Sequence, residues 1–483
     1  MRIPFPTSIP LIQAFLFFGF LLGVQLIEGT DPVFAALMMA AQIFGIMAFN
    51  TLGGFSHVAG AFCLFSLLPN VTVPEITHAI VLQPGDFNIP GSLQTANACA
   101  IFYACLYVSA QFVVLLPTPR PFVDRVYFSL TELRAISIIC IAFVLISQVV
   151  WAAAGGEVKD GSLLAALGHF YGASDPLSVV AATQVRLKST QGKSAMSWYV
   201  ALILAAATFP GIIGASKEGM LVPLFCWLIV CAVNRYRFTR TQVTVLAGIM
   251  LFVWFFVYPF AQGRRDLVRA QKSIPEKLAV VVASIRDPSE FLDQSGVEPD
   301  ESSEYGAISG SLSIIPRFSL LRSNGMLIDA DDTVGFTDID RILPAFLVIV
   351  PHFLWPDRPD PISSNELGHK AGFDIARNDT TTGITIGSPS QFFDMGGWVA
   401  LPVYTILVFG PYFYALRCMF GESRDSVWGL LMIGAIANMA GVLALGLIIQ
   451  TLLQFIMIFF ILVAALKVIA YVSETLFARP IAQ

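Results

Sequence analysis

The chain is short of charge. Only 13% of its 483 residues are Asp, Glu, Lys or Arg, against roughly 25% in soluble domains. A globule of this size cannot cover itself with so few charges, which excludes a soluble enzyme and a disordered protein. Basic surplus is absent as well: the net charge is −5 and the pI about 5.6, so there is no electrostatic footprint for nucleic acid. Cysteine is sparse. The seven present (Cys63, Cys99, Cys105, Cys140, Cys226, Cys231, Cys418) lie within or beside apolar segments and form no CxxC. That excludes a secreted disulfide scaffold and any zinc or haem spacing, and predicts small buried hydrophobes. No internal repeat is visible, which counts against an inverted-repeat transporter. The acidic runs Glu298–Glu304 and Asp329–Asp340 lack the glycine and glutamate positions of a calcium loop and read as solvated surface.

What the chain has is apolar length. Hydrophobic residues make up 56%, 40 of them Phe, and the mean hydropathy is +0.74. With about 20 apolar residues per crossing, the pattern predicts an all-α polytopic membrane protein. Spans fall near 9–27, 32–50, 54–70, 97–117, 134–154, 196–215, 219–234, 241–260, 396–416, 427–448 and 450–471. The first is too long for a signal-peptide core and is expected to remain as a span. A weaker segment, 163–184, is interrupted by Gly172, Asp175 and Pro176. Ile342–Trp355 is too short to cross and is expected to lie on the membrane or re-enter it. If 163–184 crosses and the N-terminus is cytoplasmic, 14 basic residues fall in inner segments against two, Lys159 and Lys217, in short outer loops. That bias argues for 12 spans with both termini cytoplasmic. The chain then divides into an N-terminal transmembrane bundle (1–262, about nine spans), a large extracytoplasmic loop with short helices (263–395) and three C-terminal spans (396–483). The loop holds 20 of the 33 acidic residues, and loops that long are usually functional or disordered.

The clearly apolar spans carry no ionisable residue at mid-depth, so no ion path is marked there. Candidate chemistry gathers at the outer surface instead. Lys217 stands in the tight turn Gly214-Ala-Ser-Lys-Glu-Gly219, Arg264 and Arg265 follow where a span leaves the membrane, and Arg317, Arg322 and Arg358 lie along the loop. Interfacial arginine commonly snorkels, but the outer face is the wrong side for a basic cluster under positive-inside bias. Guanidinium groups there suit a phosphate or diphosphate, which their planar fork grips bidentately. His352, His369, Asp357 and Glu366 are the base candidates of the same loop, with Asp357 and Asp394 equally suited to bracing it.

Three segments carry a family resemblance. Val350-Pro-His-Phe-Leu-Trp-Pro-Asp-Arg-Pro359 resembles the proline–tryptophan–proline signature of bacterial oligosaccharide repeat-unit polymerases, the O-antigen and enterobacterial-common-antigen polymerase group. Gly387-Ser-Pro-Ser-Gln-Phe-Phe-Asp-Met-Gly-Gly397 is similar to that group's Ser-Pro segment, and Gly214–Gly219 to its glycine–arginine turn, with Lys217 where arginine is usual. The resemblance spans roughly 211–416; the N-terminal half matches in hydropathy only. It implies a GT-C-like integral-membrane glycosyltransferase in the bacterial inner (cytoplasmic) membrane, acting in surface polysaccharide (lipopolysaccharide) biosynthesis. Such an enzyme transfers a glycan from undecaprenyl diphosphate to the acceptor sugar of another lipid-linked unit, with no cofactor and no metal. The partners implied are the undecaprenyl-diphosphate-linked oligosaccharide, membrane lipid, a chain-length regulator and a flippase. An O-antigen-ligase-type transferase shares the topology and donor, and a lipid-linked sugar transporter or flippase is the rival of a different class.

Overall fold

The computed structural model describes residues 5–118, 120–122, 128–153, 163–213, 217–252, 275–276, 279, 319–338, 340, 344–347, 355, 357–359, 362–373, 384–423, 426–442 and isolated positions from 448 to 464. It is all-helical, with no strand among the described residues. The helices are α1 (Leu11–Ile27), α2 (Pro32–Thr51), α3 (Val58–Leu67), α4 (Val73–Val81), α5 (Ser92–Leu115), α6 (Leu130–Ala153), α7 (Leu163–Ser189), α8 (Trp198–Ile213), α9 (Lys217–Val233) and α10 (Arg240–Phe252). After the loop's first part come α11 (Leu321–Val334), α12 (Pro344–Leu347), α13 (Ser364–Lys370), α14 (Ser388–Asp394), α15 (Gly397–Phe420) and α16 (Val427–Met439).

Among the described residues five helices are long and apolar enough to cross a membrane: Pro32–Thr51, Val58–Val81, Ser92–Leu115, Leu130–Val150 and Gly397–Phe420. Their flanks fit that medium. On α1, Ile12, Leu16 and Phe20 stand exposed at four-residue spacing, and on α15 Val399, Val403 and Leu407 do the same. Apolar stripes of that size on a soluble monomer would be an aggregation hazard. The six cysteines other than Cys418 are buried and all seven are free.

Local sequence sets the helix starts. Asp31 accepts from Val33 N at 2.7 Å and Phe34 N at 3.0 Å, with Pro32 at the first helical position of α2, where a missing N–H costs nothing. Ser129 and Glu132 form a reciprocal cap on α6, as Thr239 and Gln242 do on α10.

Two spans differ from the sequence reading. The segment placed at 54–70 continues to Val81, because a π turn over Leu68–Thr72 carries the helix past Pro69. Proline has no N–H to give to the carbonyl of Phe65, four residues back, and the wide turn leaves carbonyls open. Tyr103 Oη donates to Ser66 O at 2.8 Å, Asn70 Nδ2 to the same oxygen at 2.9 Å, and Leu320 N to Pro69 O at 2.9 Å. The longer span brings Glu75 and His78, both buried, into a helix whose shorter version held no carboxylate. The second difference is α7. Gly172, Asp175 and Pro176 do not break it; the helix is continuous for 27 residues and packs against α6, α8, α9 and α16. Those neighbours hold together what Pro176 alone would interrupt.

Packing divides the bundle in two. The first group is α1–α5 with α15 and the loop helices α11 and α14; the second is α6–α9. Helix α16 bridges them, touching α3 on one side and α7 and α9 on the other. The seam of the first group is aromatic: Phe62, Phe102, Phe392 and Phe409 stack with ring centroids 5.2–5.9 Å apart. In hydrocarbon such van der Waals fit, rather than water exclusion, drives helix association.

Inter-segment bonds sort the connections into two ends. At one end Phe55 N bonds Pro6 O, Ser423 N bonds Ser56 O, Phe122 N bonds Cys418 O, and Arg417 Nη1 reaches Val113 O. At the other end Gly85 N bonds Thr30 Oγ1, Gln94 Nε2 bonds Asp332 Oδ2, and Leu320 meets Pro69. The first set joins segments expected inside, the second segments expected outside.

Candidate functional site

The loop end is organised on α11. Its buried face runs through Leu321, Asn324, Leu327, Ile328 and Asp331, a helical stripe that includes an amide and a carboxylate. Asn324 Oδ1 accepts from Gly387 N at 2.8 Å and from Ser390 Oγ at 2.8 Å, while its Nδ2 donates to Asn70 Oδ1 at 3.0 Å. Asn70 Nδ2 also reaches Gly441 O at 3.0 Å. The Ser-Pro segment, the π turn, α11 and the end of α16 are thereby locked into one buried polar assembly. Gly387 is required by it: a Cβ there would run into the side-chain amides of Asn70 and Asn324.

Next to it is an ionic cluster. Lys370 Nζ lies 2.7 Å from Asp331 Oδ1 and pairs also with Asp394 Oδ1; the lysine side chain is 13% exposed, the aspartates 0% and 4%. Asp394 Oδ2 accepts from Thr337 Oγ1 at 2.7 Å. Burial, and then the neighbouring Asp394 carboxylate, push Asp331 up to about 8. Burial works against the Lys370 ammonium, but its two carboxylate partners outweigh that and hold it above its usual value. With Asp331 protonated the cluster is neutral, so Lys370 has no charge left for an anion. Asp331 corrects the expectation that the Asp329–Asp340 run is solvated throughout: seven residues beyond Asn324, it falls on the packed face of α11, while Asp329 and Asp332 stay exposed. A small apolar cluster of Leu327, Leu367, Ala371 and Ile386 closes the loop behind it.

Among the sequence-predicted residues, Arg322 sits half-buried on α11, and its Nε is buried with no hydrogen-bond partner among the described residues. Arg358 turns on Trp355 O through its own N–H at 3.2 Å and extends Nη1 to Leu347 O at 3.4 Å, which braces the Trp-Pro segment against α12. Glu366 closes the capping box of α13, accepting from Ser363 N at 2.8 Å. His369 is exposed in the last turn of that helix, and Asp357 is exposed in a turn. Lys217 opens α9, where Gly211 lies directly on the Gly219–Met220 backbone; the Lys217 side chain lies outside the described residues. Arg264, Arg265, Arg317 and His352 also lie outside them, as does most of Ile342–Trp355. The structure thus places Glu366 and His369 on the same short helix as Lys370 and shows no contact between Arg322 and Arg358 among the described residues.

Sequence reasoning missed Asn70, Asn324, Asp331, Thr337 and Ser390. Two signals were present: an acid in register with an apolar helical stripe, and an asparagine following a proline inside an apolar run. Among the described residues no group of three or more His, Cys, Asp or Glu side chains is arranged to hold a metal ion. No protein-family model, curated protein or solved structure matches the chain.

Proposed function

We propose that the chain is a GT-C-like integral-membrane glycosyltransferase of about 12 spans that polymerises lipid-linked oligosaccharide repeat units at the outer face of a bacterial inner membrane. One observation supports the reading. The Ser-Pro segment, which bears part of the resemblance, converges with α13, the π turn and α11 in one buried polar assembly at the loop end of the bundle. A purely connecting loop needs no such assembly; a loop that must hold groups in a fixed geometry does.

In the proposed reaction an acceptor sugar hydroxyl attacks the anomeric carbon, the new C–O bond forms, and the bond to the lipid diphosphate breaks. The leaving diphosphate takes the electron pair. Arg322 stabilises that charge with Arg264, Arg265, Arg317 and Lys217, and the hydroxyl proton passes to a histidine of the same loop, His352 or His369. The triad of Asp331, Lys370 and Asp394 positions the loop and does not touch substrate, since its carboxylates are sealed.

Purified protein given a lipid-linked repeat unit in EDTA tests this. A ladder of products supports a polymerase, and a single transfer to a different acceptor indicates a ligase. Unaltered substrate, or activity that returns only with magnesium or manganese, defeats the proposal. Within it, Arg322→Lys keeps charge but loses the fork, so transfer should fall about tenfold to a hundredfold while the protein accumulates normally.

A further inference from the structure

At the end of the bundle opposite the loop, α6 begins, α7 ends and α8 begins around a cavity of about 630 Å³. Its walls carry Arg134, Arg186, Ser189, Ser197, Trp198 and Tyr199, and no carboxylate lines it among the described residues. We propose that this cavity is a binding site for the phosphate headgroup of an anionic membrane lipid, independent of the glycan chemistry at the other end.

The site is built. Tyr199 Oη and Ser137 Oγ are hydrogen-bonded, tying α8 to α6. The connection from α7 to α8 is held by Thr190 Oγ1 donating to Ser194 O at 3.0 Å, Ser194 Oγ to Met196 O at 2.8 Å, and Trp227 Nε1 to Ala195 O at 3.3 Å. Into this frame comes the Arg186 guanidinium, whose Nε is buried without a hydrogen-bond partner among the described residues. The acid nearest Arg134 in sequence, Glu132, accepts from Ser129 N at 2.6 Å. Two guanidinium groups with no counter-ion among the described residues call for an oxyanion. The volume is in the range of small-molecule sites, about 300–1,000 Å³.

The lipid source follows from what lies beside the mouth. Trp198 is 79% exposed and Leu202, one turn further on α8, 58%; on α6 Ile138, Leu145 and Val149 make a second exposed apolar stripe. Both stripes run from the cavity toward the middle of the bundle. The cavity opens beside lipid-facing stripes, so an occupant drawn from the bilayer reaches it directly. A lipid uses both, with its head in the cavity, its tails along α6 and α8, and tryptophan at headgroup level.

The test is delipidated protein titrated with phosphatidylglycerol or phosphatidylcholine, with bound lipid counted by native mass spectrometry. Phosphatidylglycerol should be retained preferentially. Arg186→Gln and Arg134→Gln should each weaken it about tenfold, and Lys188→Gln, an exposed charge outside the cavity, should leave it unchanged. Ser189→Trp fills the cavity from an exposed position while leaving both arginines in the sequence, and should abolish retention at a near-wild-type melting temperature. Equal retention of both lipids, wild-type binding in the arginine variants, or an equal loss in Lys188→Gln would overturn the site. Displacement by glycerol phosphate or inorganic phosphate at concentrations comparable to the lipid would overturn the lipid as occupant.

Discussion

The two ends of the bundle are held by different means. At the loop end, segments meet through buried side chains: Asn70 on Asn324, Ser390 on Asn324, Lys370 between Asp331 and Asp394. At the opposite end they meet largely on backbone carbonyls, as Phe122 on Cys418, Ser423 on Ser56 and Tyr414 on Pro117. An exposed carbonyl that loses its donor, as that of Pro117 would, finds water. A buried amide or carboxylate that loses its partner finds nothing and keeps its desolvation cost. The loop end should therefore be brittle toward substitution and specific in shape, the other end tolerant.

The largest effect should come from Lys370→Met. It strips the cation from the buried Asp331–Asp394 pair, which holds one negative charge at neutral pH, and removing one partner of a buried ion pair costs about 3–5 kcal/mol. Thermal unfolding in detergent should show a collapse of stability or of yield; a wild-type melting temperature would mean that the loop end is no more constrained than its opposite. Gly387→Ala comes next. Its new methyl must displace the Asn70 and Asn324 amides, and overpacking costs about 1–3 kcal/mol.

The pH dependence sharpens the comparison further. The folded chain holds the Asp331 proton up to about 8, whereas the ordinary value is 3.8, so between those values the native state binds more protons than the unfolded one. Stability should be highest at the acid side of that window and fall as pH rises through it. Melting temperatures from pH 5 to 8.5 should show the decline in the wild type and a flatter profile in Asp331→Asn; identical profiles would remove the carboxylate from the account.

The smallest effects are expected at two positions. Glu366→Gln preserves the capping box, since glutamine serves at that position as glutamate does, and both stability and transfer should stay near wild type. A transfer loss of about 10²–10⁴ would instead restore Glu366 as a base. Tyr414→Phe at the opposite end removes an exposed 3.2 Å bond to Pro117 O and should change stability by no more than about 0.5 kcal/mol.

Much of this was legible in one dimension. Low charge and long apolar runs dictate helices in a medium without water, because every backbone group must then be satisfied within its own segment. The reciprocal caps at Ser129 and Ser363 can be read directly from spacing. The interrupted span was not legible at Pro69, because a hydropathy ruler sees proline and asparagine as an ending, whereas Tyr103 and Leu320, distant in sequence, satisfy the carbonyls that the π turn releases. The same holds for Asp175 and Pro176 in α7, which is kept continuous by its neighbours.

What the sequence by itself determined is the all-helical, apolar character of the chain and the grouping of its connections into two sets, since composition and the 20-residue ruler act locally. Which polar residues matter was decided only by tertiary structure. Asp331 and Asp332 are adjacent acids with the same chemistry; one is sealed against Lys370 and the other is exposed beside Gln94. A 100° step around a helix separates burial from solvent, and the face that is buried depends on partners more than thirty residues away.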